Sequence, residues 1–238
     1  MRSAFFYNGK SSLDFGVCVE KCPRFVTGTM EYEKVSIPGR NGDLIRKSRA
    51  KLSNYIQPYE VWFSGQKKDT ILDAREISNW LLSAEGYVRL EDTYDSDVYR
   101  EALFTGPMDV ENWMLVRGRT VLEFDCKPQR WLKSGEYPIA VESGTQISNP
   151  WHQAKPEIVI AGTGAADIRV GSSHVHIADI GGRITLDCDV FNAYDGLTNK
   201  NNLVTVKGGW PVLDHGETEI SWSGGIQSVT LIPHWWMP

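Results

Sequence analysis

The chain has 238 residues, 41% hydrophobic and 11% aromatic, enough apolar surface for one large or two modest cores, which excludes a disordered protein. A formal charge of -5 leaves no electrostatic footprint for gripping phosphate backbones, so no specific nucleic-acid binding is expected. No stretch approaches the roughly 18 apolar residues of a membrane span. The cluster Phe5-Phe6-Tyr7 is too short for a signal-peptide core before Asn8-Gly9 breaks it, so folding in the cytoplasm of the producing cell, without membrane insertion, is expected.

Turn pairs at Asn8-Gly9, Pro38-Gly39, Asn41-Gly42, Gly181-Gly182, Gly208-Gly209 and Gly224-Gly225 punctuate short alternating apolar segments, the grammar of a mainly β protein. Cys18, Cys22, Cys126 and Cys188 are too scattered for a disulfide scaffold and lack the second close pair of a zinc site, so free, mostly packed thiols are expected. The basic run Arg46 to Lys51 reads as a solvated loop or strand face.

One segment breaks the β pattern. From Thr70 to Ala84, Ile71, Ala74, Ile77, Trp80, Leu81 and Ala84 recur three or four apart, predicting an amphipathic helix over about 70–84 that lays its stripe on a sheet. Thr70 suits the N-cap, Asp73 resembles the capping-box acid, Gly86 suits the stop, and Asp73, Arg75, Glu76 and Asn79 form the polar face. The acid-rich run Glu91 to Asp97 has oxygens for calcium but lacks the glycine and terminal glutamate of a twelve-residue loop, so a solvated loop is expected. In Arg119 to Phe124, Leu122 and Phe124 should meet a core while Arg119 and Glu123 point away.

The polar, turn-rich stretch after Trp131-Leu132 predicts two domains, 1–133 and 137–238. The second half reads as seven or so short strands, the number a two-sheet sandwich uses. Gly162-Thr163-Gly164 reads as a hairpin turn and not a dinucleotide loop, because Asp167 stands where the third glycine belongs and strand follows where a helix should open. His174 and His176 share a strand face and could ligate a metal, but only Asp179 or a distant strand could supply a third ligand, so a polar sheet face is preferred. Asp187 and Asp189 read as a solvated strand edge, and Ser223 lacks the leading glycine and helix of a nucleophile elbow. No catalytic, cofactor or metal residues are therefore assigned, and the chain is expected not to be an enzyme.

The order of several short motifs carries a family resemblance. Val35-Ser36-Ile37-Pro38-Gly39-Arg40-Asn41-Gly42-Asp43-Leu44 resembles the early hairpin of siphophage distal tail proteins. Pro156 to Ile160 leading into Gly162, Ile184-Thr185-Leu186-Asp187, Tyr194 and Gly208-Gly209-Trp210-Pro211-Val212-Leu213 follow in family order. Gly216 to Gly224 is similar to the family's ending, with Thr218 where Asn is frequent. The resemblance spans nearly the whole chain and implies two β-sandwich-like domains: an amino-terminal one with a single helix that closes into a homo-hexameric ring, and a galectin-like carboxy-terminal one. It implies a virion protein of the tail tip, joining the tail tube to the baseplate or receptor-binding apparatus around a DNA channel. Tail tube and tape-measure proteins would lie on one side, a tail-associated fibre or lysin protein on the other, with receptor-binding proteins around them. Ile37, Pro38, Gly39, Arg40, Asn41, Gly42, Asp43 and Leu44 are the candidate ring-contact arm, since a kinked hairpin offers exposed edges to a second copy. The rival reading is a carbohydrate-binding sandwich that stacks sugars on Trp210, Trp222, Trp235 and Trp236, although Trp also seals cores and interfaces.

Overall fold

The computed structural model describes residues 3–64, 70–109, 111–114 and 117–238, with the side chains of 47–50, 64, 70–71, 111–114 and 117 outside the described set. The chain divides into two compact units, Met1–Arg130 and Trp131–Met237. No helix among the described residues is long and apolar enough to cross a membrane.

The first unit contains β1 (Phe5–Tyr7), β2 (Lys10–Ser11), β3 (Val17–Val19), β4 (Met30–Ser36), β5 (Asp43–Leu52), β6 (Tyr55–Ser64), α1 (Thr70–Leu81), β7 (Val88–Asp92), β8 (Val98–Phe104), β9 (Glu111–Met114) and β10 (Arg117–Leu132). Its main sheet runs β2-β1-β7-β8-β10-β6-β3, with β9 on the start of β10. Strict alternation selects the strands: Val98, Arg100, Ala102 and Phe104 of β8 are buried, as are Leu122, Phe124 and Cys126 of β10, while Val121 faces out. Helix α1 lays Ile77, Trp80 and Leu81 into this face. There Trp80 stacks 4.3 Å from Phe15 and 5.7 Å from Phe5, and its indole N–H donates to the Tyr7 carbonyl at 3.3 Å.

The helix stops at Leu81, short of the expected Ala84, because both the amide and the hydroxyl of Ser83 donate to the Trp80 carbonyl, closing a tighter last turn. Asp73 is buried at 7% exposure, not displayed on the polar face with Arg75, Glu76 and Asn79. The expected Thr70 cap and the Ile71 side chain lie outside the described residues.

The second unit contains β11 (Ile139–Val141), β12 (Thr145–Asn149), β13 (Glu157–Val170), β14 (Ser173–Ile177), β15 (Gly182–Asp187), β16 (Asn192–Asp195), β17 (Thr198–Asn199), β18 (Val204–Lys207), β19 (Gly216–Ile232) and β20 (Trp236–Met237). Two long strands organise it. The first half of β13 pairs with β15 and the second half with β14, while β19 runs antiparallel beside both halves. The ladder shifts register around Gly162 to Ala166, where the layers change partners. Ile158 and Ile160 from one half and Ile168 and Val170 from the other enter the same core with Ile184, Leu186, Ile220 and Leu231.

This arrangement corrects two expectations. Gly162-Thr163-Gly164 is a bulge inside one continuous strand, not a hairpin turn, and the second half is not built of short strands throughout, since β13 runs for 14 residues and β19 for 17. Glycine is required there by close approach: a Cβ on Gly225 would sit 1.6 Å from the Thr163 carbonyl oxygen, and one on Gly162 2.1 Å from that of Gly225. Asp179 fastens the bulge, its carboxylate accepting the Gly164 and Gly181 amides at 3.1 Å each. Thr218, the departure from the resembled ending, lies buried within β19 and not in a turn.

Candidate assembly surface

Strands β4 and β5 form a two-stranded sheet of their own that joins neither large sheet. Val35 faces Leu44 and Ser36 faces Asp43, so the tip comprises Ile37 to Gly42, closed by the Arg40 amide donating to the Ile37 carbonyl at 3.1 Å. Gly39 and Gly42 hold φ of +81° and +83° with open space around them, so their requirement is conformational.

All eight predicted arm residues, Ile37 through Leu44, are exposed. Apolar side chains continue along the hairpin, with Tyr32 46%, Ile37 37%, Leu44 46% and Ile45 48% exposed. Of the basic run, Arg46 pairs with Glu33 at 3.4 Å and Lys51 with Glu31 at 3.2 Å, exposed pairs that set register more than stability. The side chains between them lie outside the described residues.

The arm has a defined root. The Ser53 amide donates to the Thr29 carbonyl at 2.9 Å, and the Thr29 amide to the Ser53 hydroxyl at 3.1 Å. A Cβ on Gly28 would meet the Ser53 carbonyl at 2.2 Å, so only glycine lets the two chains pass. Just upstream, Gln57 donates to the Arg24 carbonyl at 3.1 Å, and buried Arg130 donates to the Val26 carbonyl. The Arg130 guanidinium lies 4.3 Å from the exposed Phe25 ring and 4.9 Å from Tyr55, and burial lowers its pKa.

The four tryptophans of the rival reading lie in or against the core of the second unit. Trp235 is buried in the core of its unit, and Trp210, Trp222 and Trp236 are partly buried against it. Trp236 stacks on His152 at 4.9 Å and donates its indole N–H to the Gln153 carbonyl at 2.8 Å. The more exposed apolar groups of this unit are Tyr137, Val190, Phe191 and Leu197, which no periodic pattern marks because they sit in a bend or in turns.

Other acidic candidates prove structural. Asp92, expected in a solvated loop, is buried: its Oδ2 accepts from the Tyr59 hydroxyl at 2.8 Å and Arg100 at 3.2 Å, its Oδ1 from the Tyr94 and Asp95 amides at 2.9 Å. Burial first, and the Asp92 charge second, push the Tyr59 phenol well above its ordinary pKa. Asp187 caps a turn through the Asp189 and Val190 amides, while Asp189 pairs with Lys155 at 3.0 Å. Cys18, Cys126 and Cys188 are buried and Cys22 exposed, all as free thiols.

No protein-family model matches the chain, and no curated protein matches it in sequence. Solved structures do. The Dit protein (gp 19.1) of SPP1, described as a paradigm of the hub adsorption apparatus in phages infecting Gram-positive bacteria, is similar over 97% of this chain and 98% of its own, with a TM-score of 0.75 and 15% identity. Chains of the phage P2 baseplate in its activated conformation, with Ca and with Sr, are similar over 97% of this chain and 97% of their own. Their TM-scores are 0.52 and 0.50, at 11% and 10% identity. At such identities the likeness is one of fold: this chain shares, over nearly its full length, the mainly β fold of the SPP1 Dit protein.

Proposed function

We propose that this chain is a structural protein of a long non-contractile phage tail, copies of which close into a six-membered ring at the distal tip. The ring joins the tail tube to the baseplate or receptor-binding apparatus and leaves a channel for DNA. Its neighbours in this reading are the tube and tape-measure proteins, a tail-associated fibre or lysin protein, and receptor-binding proteins; catalysis is no part of its task.

The observation that carries the reading is the fold shared with the SPP1 hub protein across 97% of this chain. The arm supports it physically. A ring repeats one heterologous contact, which requires a projecting element on each copy and a receiving surface on the next. A rooted hairpin with exposed Tyr32, Ile37, Leu44 and Ile45 is such an element. Six copies at -5 each would also repel DNA overall and so not trap it in passage.

Mass photometry of the purified full chain, with negative-stain imaging, tests the reading. The expected result is a six-copy species with a central hole. A monomer at every concentration that also fails to add to purified tail tubes overturns it.

A further inference from the structure

We propose that the outer face of β6 and β10 receives the arm of a second copy of this chain. The inference rests on the ring reading above and names the surface that the arm meets. The inner face of these two strands holds the core of the first unit, with Tyr59, Val61, Leu122 and Phe124 buried. On the outer face Val121 stands opposite Glu60, Glu123 opposite Pro58 and Asp125 opposite Ile56. Val121 is 46% and Ile56 47% exposed, so among the described residues no second layer covers this face.

A hollow of about 440 Å³ opens over Val121 and Thr120, with Glu20, Glu60, Asp109 and Glu123 lining it against one cation, Arg119. Arg119 is bound by Glu20, and Glu60 is bound by Lys21 at 2.7 Å. Arg24 lines an adjoining hollow with Glu60 and Glu123 but pairs with neither. Asp109 and Glu123 thus remain exposed and, among the described residues, without an ion-pair partner.

The arm carries the opposite charge. Residues 30–52 hold six Lys and Arg against three Asp and Glu, a net +3 in a chain of -5, so everything outside the arm sums to -8. Arg46 and Lys51 pair within the hairpin, whereas Lys34 and Arg40 are exposed and, among the described residues, have no acid. Lys34 stands opposite Ile45, which is 48% exposed, so the arm sets a cation beside an open aliphatic side chain. The sheet sets carboxylates beside an open aliphatic side chain, Glu60 and Glu123 about Val121. Unlike surfaces on each copy are what a repeated heterologous contact needs. Because this chain carries both, the occupant is another copy of it. Charge sets the approach and the register, and the aliphatic groups lose contact with water.

A charge-swap experiment on the full chain tests the contact, read by mass photometry, or by addition to purified tail tubes should the free chain stay monomeric. Lys34→Glu with Arg40→Glu reverses the arm, and Asp109→Lys with Glu123→Lys reverses the face. All four side chains are exposed, so the thermal unfolding of both variants should match the parent. Either variant alone should need at least about tenfold more protein to assemble, because like charges then meet. An equimolar mixture should assemble as the parent does, since each reversed arm then finds a reversed face and each parental arm a parental face. A face variant that assembles at the parent's concentration, or a mixture that recovers nothing, overturns this surface and leaves the ring reading standing. A parent that assembles neither alone nor on tubes overturns both.

Discussion

Asp92 shows how much one buried carboxylate can hold. It neutralises Arg100, orients the Tyr59 hydroxyl and caps the turn to Asp95, with side-chain exposures of 2% for Asp92 and 5% for Arg100. Removing one partner of such a pair strands a buried charge, so Asp92→Ala should cost about 3–5 kcal/mol of stability in urea unfolding followed at the first unit. A cost under about 1 kcal/mol would mean that water already shields the pair. The sequence hid this residue among three other acids in seven positions, because burial depends on Arg100, which arrives from the next strand. The thiols were more legible, and they yield a second expectation. Burial pushes Cys126 and Cys188 up to about 12, whereas Cys22 is exposed. Since the thiolate is the reactive form, a disulfide reagent at pH 8 should titrate one thiol in the native chain and four after unfolding. Fast reaction at a second thiol would contradict the packing at β3 or at one of the two β-strand cores.

The crossing of β13 and β19 sets the architecture of the second unit, and it was the element least readable in advance. Glycine pairs mark turns and bulges alike; Gly162-Thr163-Gly164 is a bulge only because Gly224-Gly225, some sixty positions later, lies against it. Local pattern could place the buried alternation of Ile158, Ile160, Ile168 and Val170 but not the continuity between the halves. The same geometry separates two kinds of glycine. Gly225→Ala drives a Cβ into the Thr163 carbonyl and should destabilise the strand pair by about 4 kcal/mol or more, in the range diagnostic of a steric clash. Gly164 has φ +74° and open space, so Gly164→Ala should cost about 1–2 kcal/mol, the backbone cost alone. Hydrogen exchange of the β13 and β19 amides distinguishes them, and equal losses of protection would show that the strands can part at the crossing without penalty.

The arm was legible for the opposite reason. Its turn pairs, Pro38-Gly39 and Asn41-Gly42, are local, and the family resemblance identified the hairpin whose tip they close. What sequence could not supply was its isolation, since whether a hairpin joins a larger sheet is decided by partners far along the chain. That isolation has an energetic consequence. A two-stranded hairpin with both faces wet is marginally stable in water, and the root at Gly28, Thr29 and Ser53 fixes only its base. Covering Ile37, Leu44 and Ile45 with a second copy would gain about 25 cal/mol for each Å² of apolar surface removed from water. The proposed ring is thus expected to fold the arm more firmly than the single chain does. Amides of 30–36 and 43–46 should exchange quickly in the monomer and slow by at least about tenfold, equivalent to 1.4 kcal/mol, in the assembled species. Leu44→Asp should abolish assembly while leaving the thermal unfolding of both units unchanged, because the side chain touches neither core. Leu197→Asp, more exposed still but far from the arm in sequence, should assemble normally. If Leu44→Asp assembles as the parent does, the contact between copies lies elsewhere and the arm serves a different neighbour.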